Sequence, residues 1–350
     1  MDSSSPSGDG PAGRPALLYP VLLADIGGTN ARFGLLAEPE ADLSVIGVVQ
    51  TADHAGFEAA ARHVLANHTE RPRSLLLAFA GPITDGPMAL TNCPWIIDPA
   101  SIVRHLQAER VVCLNDFEAL SLCLPYLPST GVSQIGDPLP LGAGSKVVLG
   151  PGTGLGVCGL AATRRGWQSR PAEAGHVGFG PTGADQRAIW PVLERSVDLV
   201  TAEHVLSGPG LLRLHQALAE CRAGSAAALD DPAAVTALAE AGDRTAQDSI
   251  ALFMALFARF SRDMALTFMA EGGVYLAGGV AVRLAHAIVA DAFRREFEAG
   301  PVHVDLLRRI PVCLVTDPFP AFLGLSELAR QPSRFDFDFV GRTTVGGQPA

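Results

Sequence analysis

Short apolar runs along the chain are separated by polar turns and by stretches with helical spacing. Runs over 17–24 and 31–37 predict two strands joined by a glycine-containing turn, and the same design returns at 146–162. In each half of the chain, further strands then alternate with helices. This weak internal repeat predicts two mixed α/β domains.

The other predicted elements follow from the same patterns. In the first half they are the strand VIGVVQT, a helix over 57–67, the strands SLLLAFAGPI, PMALTNCPWIID and RVVCLND, and the helical FEALSLCL. In the second half they are helices over about 185–270, the strand GGVYLAGGVA, a helix over 283–298, the strand IPVCLVTD and a short helix to 329. Residues 1–16 are predicted to be a flexible leader and residues 332–350 an irregular tail.

The composition and charge of the chain argue against several classes of protein. The net charge of −10 over 350 residues argues against a nucleic-acid surface. Lys146 is the only lysine, so chemistry that needs a lysine must use it. Six cysteines without a CxxC pair indicate reduced thiols and a cytoplasmic protein. The apolar stretch 249–270 carries Arg259, Arg262 and Asp263, which favours a buried helix over a membrane span.

Two glycine-rich turns carry the candidate chemistry, DIGGTN at 25–30 and GPGTGLG at 150–156. Their amides and hydroxyls suit phosphate groups, although either turn alone also fits an ordinary hairpin with a bulge. No GK[ST] opens a helix, no kinase HRD segment occurs, and GLGVCG precedes strand rather than helix, which excludes three other phosphate sites. Asp25 would hold Mg²⁺ through water beside the phosphates.

Seven segments then occur in a recognisable order: DIGGTNARFGL, LTNCPW, LNDFEAL, GPGTGLGV, EAGHVGF, AEHVLSGPGL and GGVYLAGGV. Together they resemble the bacterial glucokinase family of the hexokinase–actin–heat-shock ATPase superfamily, over about residues 19–330. The zinc-binding cysteine cluster of the related repressor–kinase group is absent, which favours the zinc-free branch.

The resemblance implies ATP-dependent phosphorylation of glucose at its 6-hydroxyl, giving glucose 6-phosphate and ADP as the first step of glycolysis. The implied ATP-binding residues are Ala24, Asp25, Ile26, Gly27, Gly28, Thr29, Gly152, Thr153, Gly154, Gly278 and Gly279. The implied sugar-binding residues are Asn92, Asn115, Asp116, Glu173, His176 and Glu203. The implied cofactors are ATP and Mg²⁺.

Asp116 is the candidate catalytic base, because a sugar hydroxyl is a poor nucleophile and needs a carboxylate to accept its proton. Several of these residues also have structural interpretations. Asp116 suits the N-cap of the following helix, Glu203 suits the first turn of a helix capped by Thr201, and a lone histidine such as His176 often lies in a core.

The implied fold is α/β, with two mixed-sheet, ribonuclease-H-like (actin-like ATPase) domains flanking a cleft that closes on sugar. The predicted small domain spans 17–115 plus 318–331, and the large domain spans 116–317. A homodimer is the family expectation, with glucose and ATP as partners and no nucleic acid or membrane. Two alternatives stay open: a kinase of mannose, fructose or an amino sugar, and a catalytically silent sugar sensor.

Overall fold

The computed structural model describes residues 17–224 and 229–346, which form two compact units. Unit 1 contains residues 17–114, 328–332 and 337–346, and unit 2 contains residues 115–224, 229–327 and 333–336. The predicted leader and the last four residues of the predicted tail, 347–350, lie outside the described residues. That the two units act as the two domains of an enzyme stays a proposal.

The strands of the described chain are β1 Val21–Ile26, β2 Asn30–Leu36, β3 Ser44–Gln50, β4 Ser74–Phe79, β5 Met88–Ala89, β6 Ile96–Ile97, β7 Arg110–Asn115, β8 Val132–Gln134, β9 Lys146–Pro151, β10 Leu155–Thr163, β11 Gly166–Ala172, β12 Val274–Leu276, β13 Val312–Val315 and β14 Thr343–Val345. The α-helices are α1 Phe57–Leu65, α2 Pro99–Leu106, α3 Asp116–Cys123, α4 Gly183–Glu194, α5 Ala202–Val205, α6 Gly208–Ala223, α7 Pro232–Glu240, α8 Arg244–Thr267, α9 Gly279–Arg283, α10 Ala290–Glu298, α11 Val304–Leu307, α12 Pro320–Arg330 and α13 Phe339–Arg342.

The two six-stranded sheets share one order in five of their six strands, which confirms the internal repeat. The sixth strands differ, because β14 follows the other strands of its sheet along the chain whereas β8 precedes them. One sheet reads β3-β2-β1-β4-β7-β14 and the other reads β11-β10-β9-β12-β13-β8. In each sheet, the antiparallel pair that flanks a glycine turn lies beside a parallel strand, β4 next to β1 and β12 next to β9. Each glycine turn therefore follows the equivalent strand of its own sheet.

Unit 1 has a core between its sheet and two helices. Strand β4 is buried along its whole length, as expected of a central strand covered on both faces. Helix α1 turns Phe57, Ala60, Ala61 and Val64 inward, at the spacing of one helix face. The structure thus fixes the end of β1, where the first glycine turn begins.

Unit 2 packs its helices against its own sheet around the long helix α8. Apolar residues at helical spacing, among them Phe253, Phe257 and Phe260, are fully buried. Arg259 is buried with them, and its guanidinium donates to the Gly180 carbonyl at 2.7 Å and to the Thr182 hydroxyl at 2.7 Å. Of the helices in the described ranges, none is long and apolar enough to cross a membrane.

Three local predictions were wrong. The stretch 283–298 is not one helix, because α9 ends at Arg283 and α10 begins only at Ala290. The segment PMALTNCPWIID forms only the two-residue strands β5 and β6. The predicted irregular tail contains α13 and then β14, which pairs antiparallel with β7. Polar Thr343 and Thr344 gave little apolar signal, because β14 is an edge strand and is only partly buried.

Candidate functional site

The first glycine turn, residues 27–29, is exposed and joins β1 to β2. Thr51 holds this turn through two hydrogen bonds. Its hydroxyl donates to the Gly28 carbonyl at 2.8 Å, and its backbone N–H donates to the Thr29 carbonyl at 2.8 Å. The indole of buried Trp95 donates in turn to the Thr51 carbonyl at 3.1 Å. The turn is thus fixed by a network that leaves its outer face to solvent.

Gly28 and Asn92, two predicted site residues 64 positions apart, lie against each other in unit 1. A Cβ on Gly28 would lie 2.9 Å from the Asn92 carbonyl oxygen, closer than real Cβ contacts come. Asn92 has a φ of 60°, a left-handed conformation that asparagine adopts more readily than most residues. The structure therefore places a predicted phosphate turn beside a predicted sugar contact.

Asp25 is the last residue but one of β1 and pairs with Arg32, which lies opposite it on β2. The Arg32 Nη1 and the Asp25 Oδ2 are 3.2 Å apart, and both side chains are 21% exposed. The side chains of Ala24 and Ile26, on either side of Asp25, are buried in the core. ATP contact at these two positions therefore stays a prediction, and only their backbone atoms are placed to make it.

The donor set fits a magnesium ion brought in with nucleotide phosphates. No group of three His, Cys, Asp or Glu side chains within residues 17–224 and 229–346 is arranged to hold a metal ion. Mg²⁺ needs no such cage, since it keeps several waters and binds one or two carboxylates together with substrate phosphates. Asp25 lies two positions before the exposed turn, and its carboxylate fits a site of this kind.

The second glycine turn joins β9 to β10 in unit 2 and is tied to Glu203. The Glu203 Oε2 accepts the Leu155 N–H at 2.8 Å, and a Cβ on Gly154 would lie 2.5 Å from the same oxygen. The Gly208 N–H donates to the Gly152 carbonyl at 2.8 Å, while the Thr153 side chain is exposed. A residue predicted to contact sugar therefore also supports the predicted phosphate turn.

Gly278 and Gly279 lie next to this turn. Gly278 precedes α9 with a φ of 84°, which favours glycine, and a Cβ there would lie 2.7 Å from the Pro151 carbonyl oxygen. A Cβ on Gly279, the first residue of α9, would meet no atom within 4 Å. Gly278 is required by local packing, whereas Gly279 leaves open space that suits a ligand.

Asn115, and not Asp116, is the residue that caps α3. The Asn115 Oδ1 accepts the backbone N–H groups of Phe117 at 2.9 Å and Glu118 at 3.3 Å. Asp116 is the first helical residue, and its Oδ1 also accepts the Phe117 N–H at 2.9 Å. Burial raises the pKa of the Asp116 carboxyl above its ordinary value, opposed by hydrogen bonds from the Phe117 and Asp116 backbone and from the Asn115 side chain. A half-buried carboxylate with a raised pKa suits a general base.

Asp116 is coupled to the second turn through Phe117. A Cβ on Gly156, early in β10, would collide with the Phe117 ring. Phe117 and β10 therefore pack together only because residue 156 has no side chain. The start of α3 is positioned against the same strand that begins at the glycine turn.

The Glu173 and His176 side chains are exposed just beyond the end of β11, and the Glu173 Oε2 and the His176 Nε2 are 3.6 Å apart. The strand-like pairing of Gly178 with Thr201, and the Ala202 N–H bonded to the Val177 carbonyl at 3.1 Å, bring this segment beside α5 and Glu203. Ala174 packs its methyl group against the unit 2 core.

Thr201 is the N-cap of α5, as predicted, and shares a capping box with His204. Sequence reasoning missed Arg32, Thr51 and Phe117. Only Arg32 carried a signal, because a residue seven positions after Asp25 across a short hairpin lies opposite it. The other two contact the glycine-turn segments across a long separation in sequence, which no local pattern records.

Two sheets that share the order of five strands, each with one glycine turn after its equivalent strand, define an actin-like ATPase fold of the kind found in sugar kinases. The solved glucokinase from an Antarctic psychrotroph is 28% identical, aligns with a TM-score of 0.81, and covers 90% of this chain and 99% of that one.

The family follows from sequence comparison. A family model described as glucokinase matches residues 22–332. The glucokinase of Brucella suis biovar 1 is 42% identical over 327 residues, 93% of this chain and 95% of that protein. The glucokinase of Rhizobium etli is 41% identical over 328 residues, 93% of this chain and 96% of that protein. The chain belongs to the glucokinase family.

Proposed function

We propose that this chain is a glucokinase that transfers the terminal phosphoryl group of ATP to the 6-hydroxyl of glucose. Membership of the glucokinase family supports the reaction and the sugar. The mechanism rests on the structure at the start of α3. Asn115 caps the helix, and the neighbouring Asp116 has a half-buried carboxyl with a raised pKa.

Asp116 acts as the general base. The carboxylate accepts the proton of the glucose 6-hydroxyl while the oxygen attacks the terminal phosphorus. A new bond then joins that oxygen to phosphorus, the bond from phosphorus to the ADP oxygen breaks, and ADP leaves with the electron pair. A raised pKa makes the carboxylate a stronger proton acceptor than an ordinary aspartate.

Each unit contributes one glycine turn to ATP binding. Residues 27–29 and 152–154 offer backbone N–H groups and the hydroxyls of Thr29 and Thr153, and all of these suit phosphate oxygens. Gly278 and Gly279 are proposed to border the adenosine. Asp25 is proposed to hold Mg²⁺ through water, and the bound ion would neutralise charge on the phosphates.

The sugar is proposed to contact the other polar side chains of the site. Asn115 and His176 donate and accept hydrogen bonds, and Glu173 accepts them, which together suits a ring of hydroxyl groups. Glu203 and Asn92 are proposed to bind sugar as well. Since Glu203 and Asn92 also support the two glycine turns, changes at these positions would alter both nucleotide and sugar binding.

The decisive experiment is a coupled assay of the purified protein with glucose, mannose, fructose and glucosamine, each with ATP, ADP or polyphosphate. The proposal expects the highest kcat/KM with glucose and ATP. Equal or better turnover of another hexose would make the chain a kinase of that sugar. Glucose binding without any ATP consumption would identify a sensor instead.

The state of the cysteines supports a proposal for the cellular compartment. None of the six cysteines forms a disulfide, and five are buried, as expected in a reducing compartment. We therefore place the protein in the cytoplasm, supplying glucose 6-phosphate to glycolysis. A homodimer is proposed from the family resemblance alone, and sedimentation of the purified protein tests it.

A further inference from the structure

Unit 2 contains a cavity that none of the proposed catalytic or substrate-binding residues lines. Its volume is about 590 Å³, within the range of small-molecule sites. Lys146 lines it at the first residue of β9, whereas the glycine turn follows the last residue of the same strand. Six strand residues separate the two places by about 17 Å.

Lys146 places a buried positive charge at this cavity. The residue is only 4% exposed, and its Nζ donates to the Gly142 carbonyl at 2.6 Å and the Gly272 carbonyl at 3.2 Å. The ammonium also lies 5.3 Å from the centre of the Trp167 ring. No described carboxylate forms an ion pair with Lys146, and a buried charge without a counter-ion is costly. Burial lowers the pKa of Lys146 to about 8, so at pH 7 most molecules keep the charge.

Arg334 adds a second cation at the rim. The segment that carries it runs beside the start of β11, where the Asp336 N–H donates to the Trp167 carbonyl at 2.9 Å. A side chain at Gly166 would collide with the Arg334 carbonyl, so glycine there permits the close approach. The Arg334 guanidinium lies 5.9 Å from the centre of the Tyr126 ring and, within the described chain, has no ion-pair partner.

The remaining lining is apolar or neutral. It includes the aromatic rings of Tyr126, Trp167 and Tyr275, and leucines such as Leu124 and Leu141. No acidic residue lines the cavity. Two cations, aromatic faces and no opposing carboxylate form a surface that is complementary to an anion with an apolar body.

We propose that this cavity binds a small organic anion, with its carboxylate or phosphate group held by Lys146 and Arg334 and a flat apolar body against Trp167 and Tyr126. The site is independent of ATP and glucose, because none of the proposed catalytic or substrate-binding residues lines it. A ligand there would also touch the residues from Leu124 to Leu127, which follow the C-terminal end of α3.

The single lysine makes a direct test possible. Protein grown with [¹³Cε]lysine has one lysine Cε resonance, which is followed by NMR while benzoate, phenyl phosphate or neutral benzyl alcohol is added. At least one anion is expected to shift the resonance saturably, with or without saturating glucose and ADP, and the alcohol is expected to leave it in place. The better of benzoate and phenyl phosphate identifies the preferred head group. If neither anion shifts the resonance, or if the alcohol matches them, the proposal is wrong.

Variants test the two cations separately. Arg334→Gln changes an exposed side chain and is expected to weaken binding of the preferred anion about tenfold, as measured by the same titration. Arg165→Gln removes an exposed arginine next to the cavity that does not line it, and is expected to bind as the parent protein does. Lys146→Met is expected to abolish binding in equilibrium dialysis. Unchanged affinity in Arg334→Gln would overturn the proposed role of the rim cation even if Lys146→Met fails to fold.

Discussion

Gly28 approaches Asn92 so closely that a methyl group on its Cα would lie 2.9 Å from the Asn92 carbonyl oxygen. The first glycine turn and the loop that carries Asn92 therefore form one rigid surface in unit 1. The absence of a side chain at residue 28 is a requirement of packing, in addition to the proposed approach of phosphate. Adding a single methyl group at residue 28 therefore tests whether this contact shapes the proposed nucleotide site.

We expect Gly28→Ala to weaken ADP binding about tenfold or more, because the methyl group forces the turn away from Asn92. Gly27→Ala is the matched variant: its methyl group would lie 3.4 Å from the Asn30 carbonyl, a far easier contact. Isothermal titration with ADP compares the two. Equal affinities in the two variants would show that the contact with Asn92 does not shape the nucleotide site.

The second prediction concerns Asp116. Asp116→Asn is expected to lower kcat by about 10²–10⁴-fold, as for loss of a general base, while glucose binding stays measurable. Asp231→Asn, at a residue that caps α7, is the control and should keep its activity. Because burial disfavours the ionised Asp116, the Asn variant should also unfold at a temperature no lower than the parent at pH 7. Near-normal turnover in the variant would remove Asp116 from catalysis.

The pH dependence gives an independent test of the same residue. A base acts only when ionised, and the pKa of Asp116 is raised by burial above the ordinary 3.8. As the pH falls, kcat/KM for glucose should therefore decline at a higher pH than an ordinary aspartate would allow. The same shift in pKa affects stability. Above its folded pKa, ionised Asp116 lowers the free energy of unfolding, and this loss disappears in acid. An acid limb that persists unchanged in Asp116→Asn would belong to another group.

Most of the fold was predictable because its signals are local. The two glycine turns, the strands around them and the repeat were visible as apolar runs broken by small residues, and β1–β2 and β9–β10 confirm them. GLGVCG lies almost entirely within β10 and is followed by β11 rather than by a helix, which confirms that this match is not a dinucleotide site. Edge strand β14 could not be predicted, because its pairing with β7 depends on a segment more than 200 residues away.

The candidate site residues stay predictions, and the contacts that the structure shows among them were not visible in the sequence. In the sequence, Asp116 suited both a catalytic base and the N-cap of α3, and only the structure shows that Asn115 is the N-cap. Likewise, Glu203 gave no sign that it accepts the Leu155 N–H beside the phosphate turn. Such contacts depend on how distant segments pack, and a sequence pattern within one element does not contain that information.

Gly156 gives a test of how the base is positioned. We expect Gly156→Ala to lower kcat by up to about a hundredfold, because the new methyl group displaces Phe117 and with it the start of α3. Gly180→Ala, where a methyl group would meet no atom within 4 Å, is the matched control. Adding Phe117→Leu to Gly156→Ala should restore part of kcat by making room. A double variant no better than Gly156→Ala would argue against positioning through Phe117.

The last prediction separates the metal from the nucleotide. In the parent protein, Mg²⁺ is expected to strengthen ADP binding, since an ion shared by Asp25 and the phosphates adds attraction. In Asp25→Asn most of that strengthening should be lost, and affinity for ADP without Mg²⁺ should change little. Isothermal titration with and without Mg²⁺ measures both quantities, and Asp53→Asn, an exposed carboxylate in the same unit, is the control. If Asp25→Asn weakens ADP binding equally in both conditions, Asp25 maintains the turn through Arg32, 3.2 Å away, and does not hold the ion.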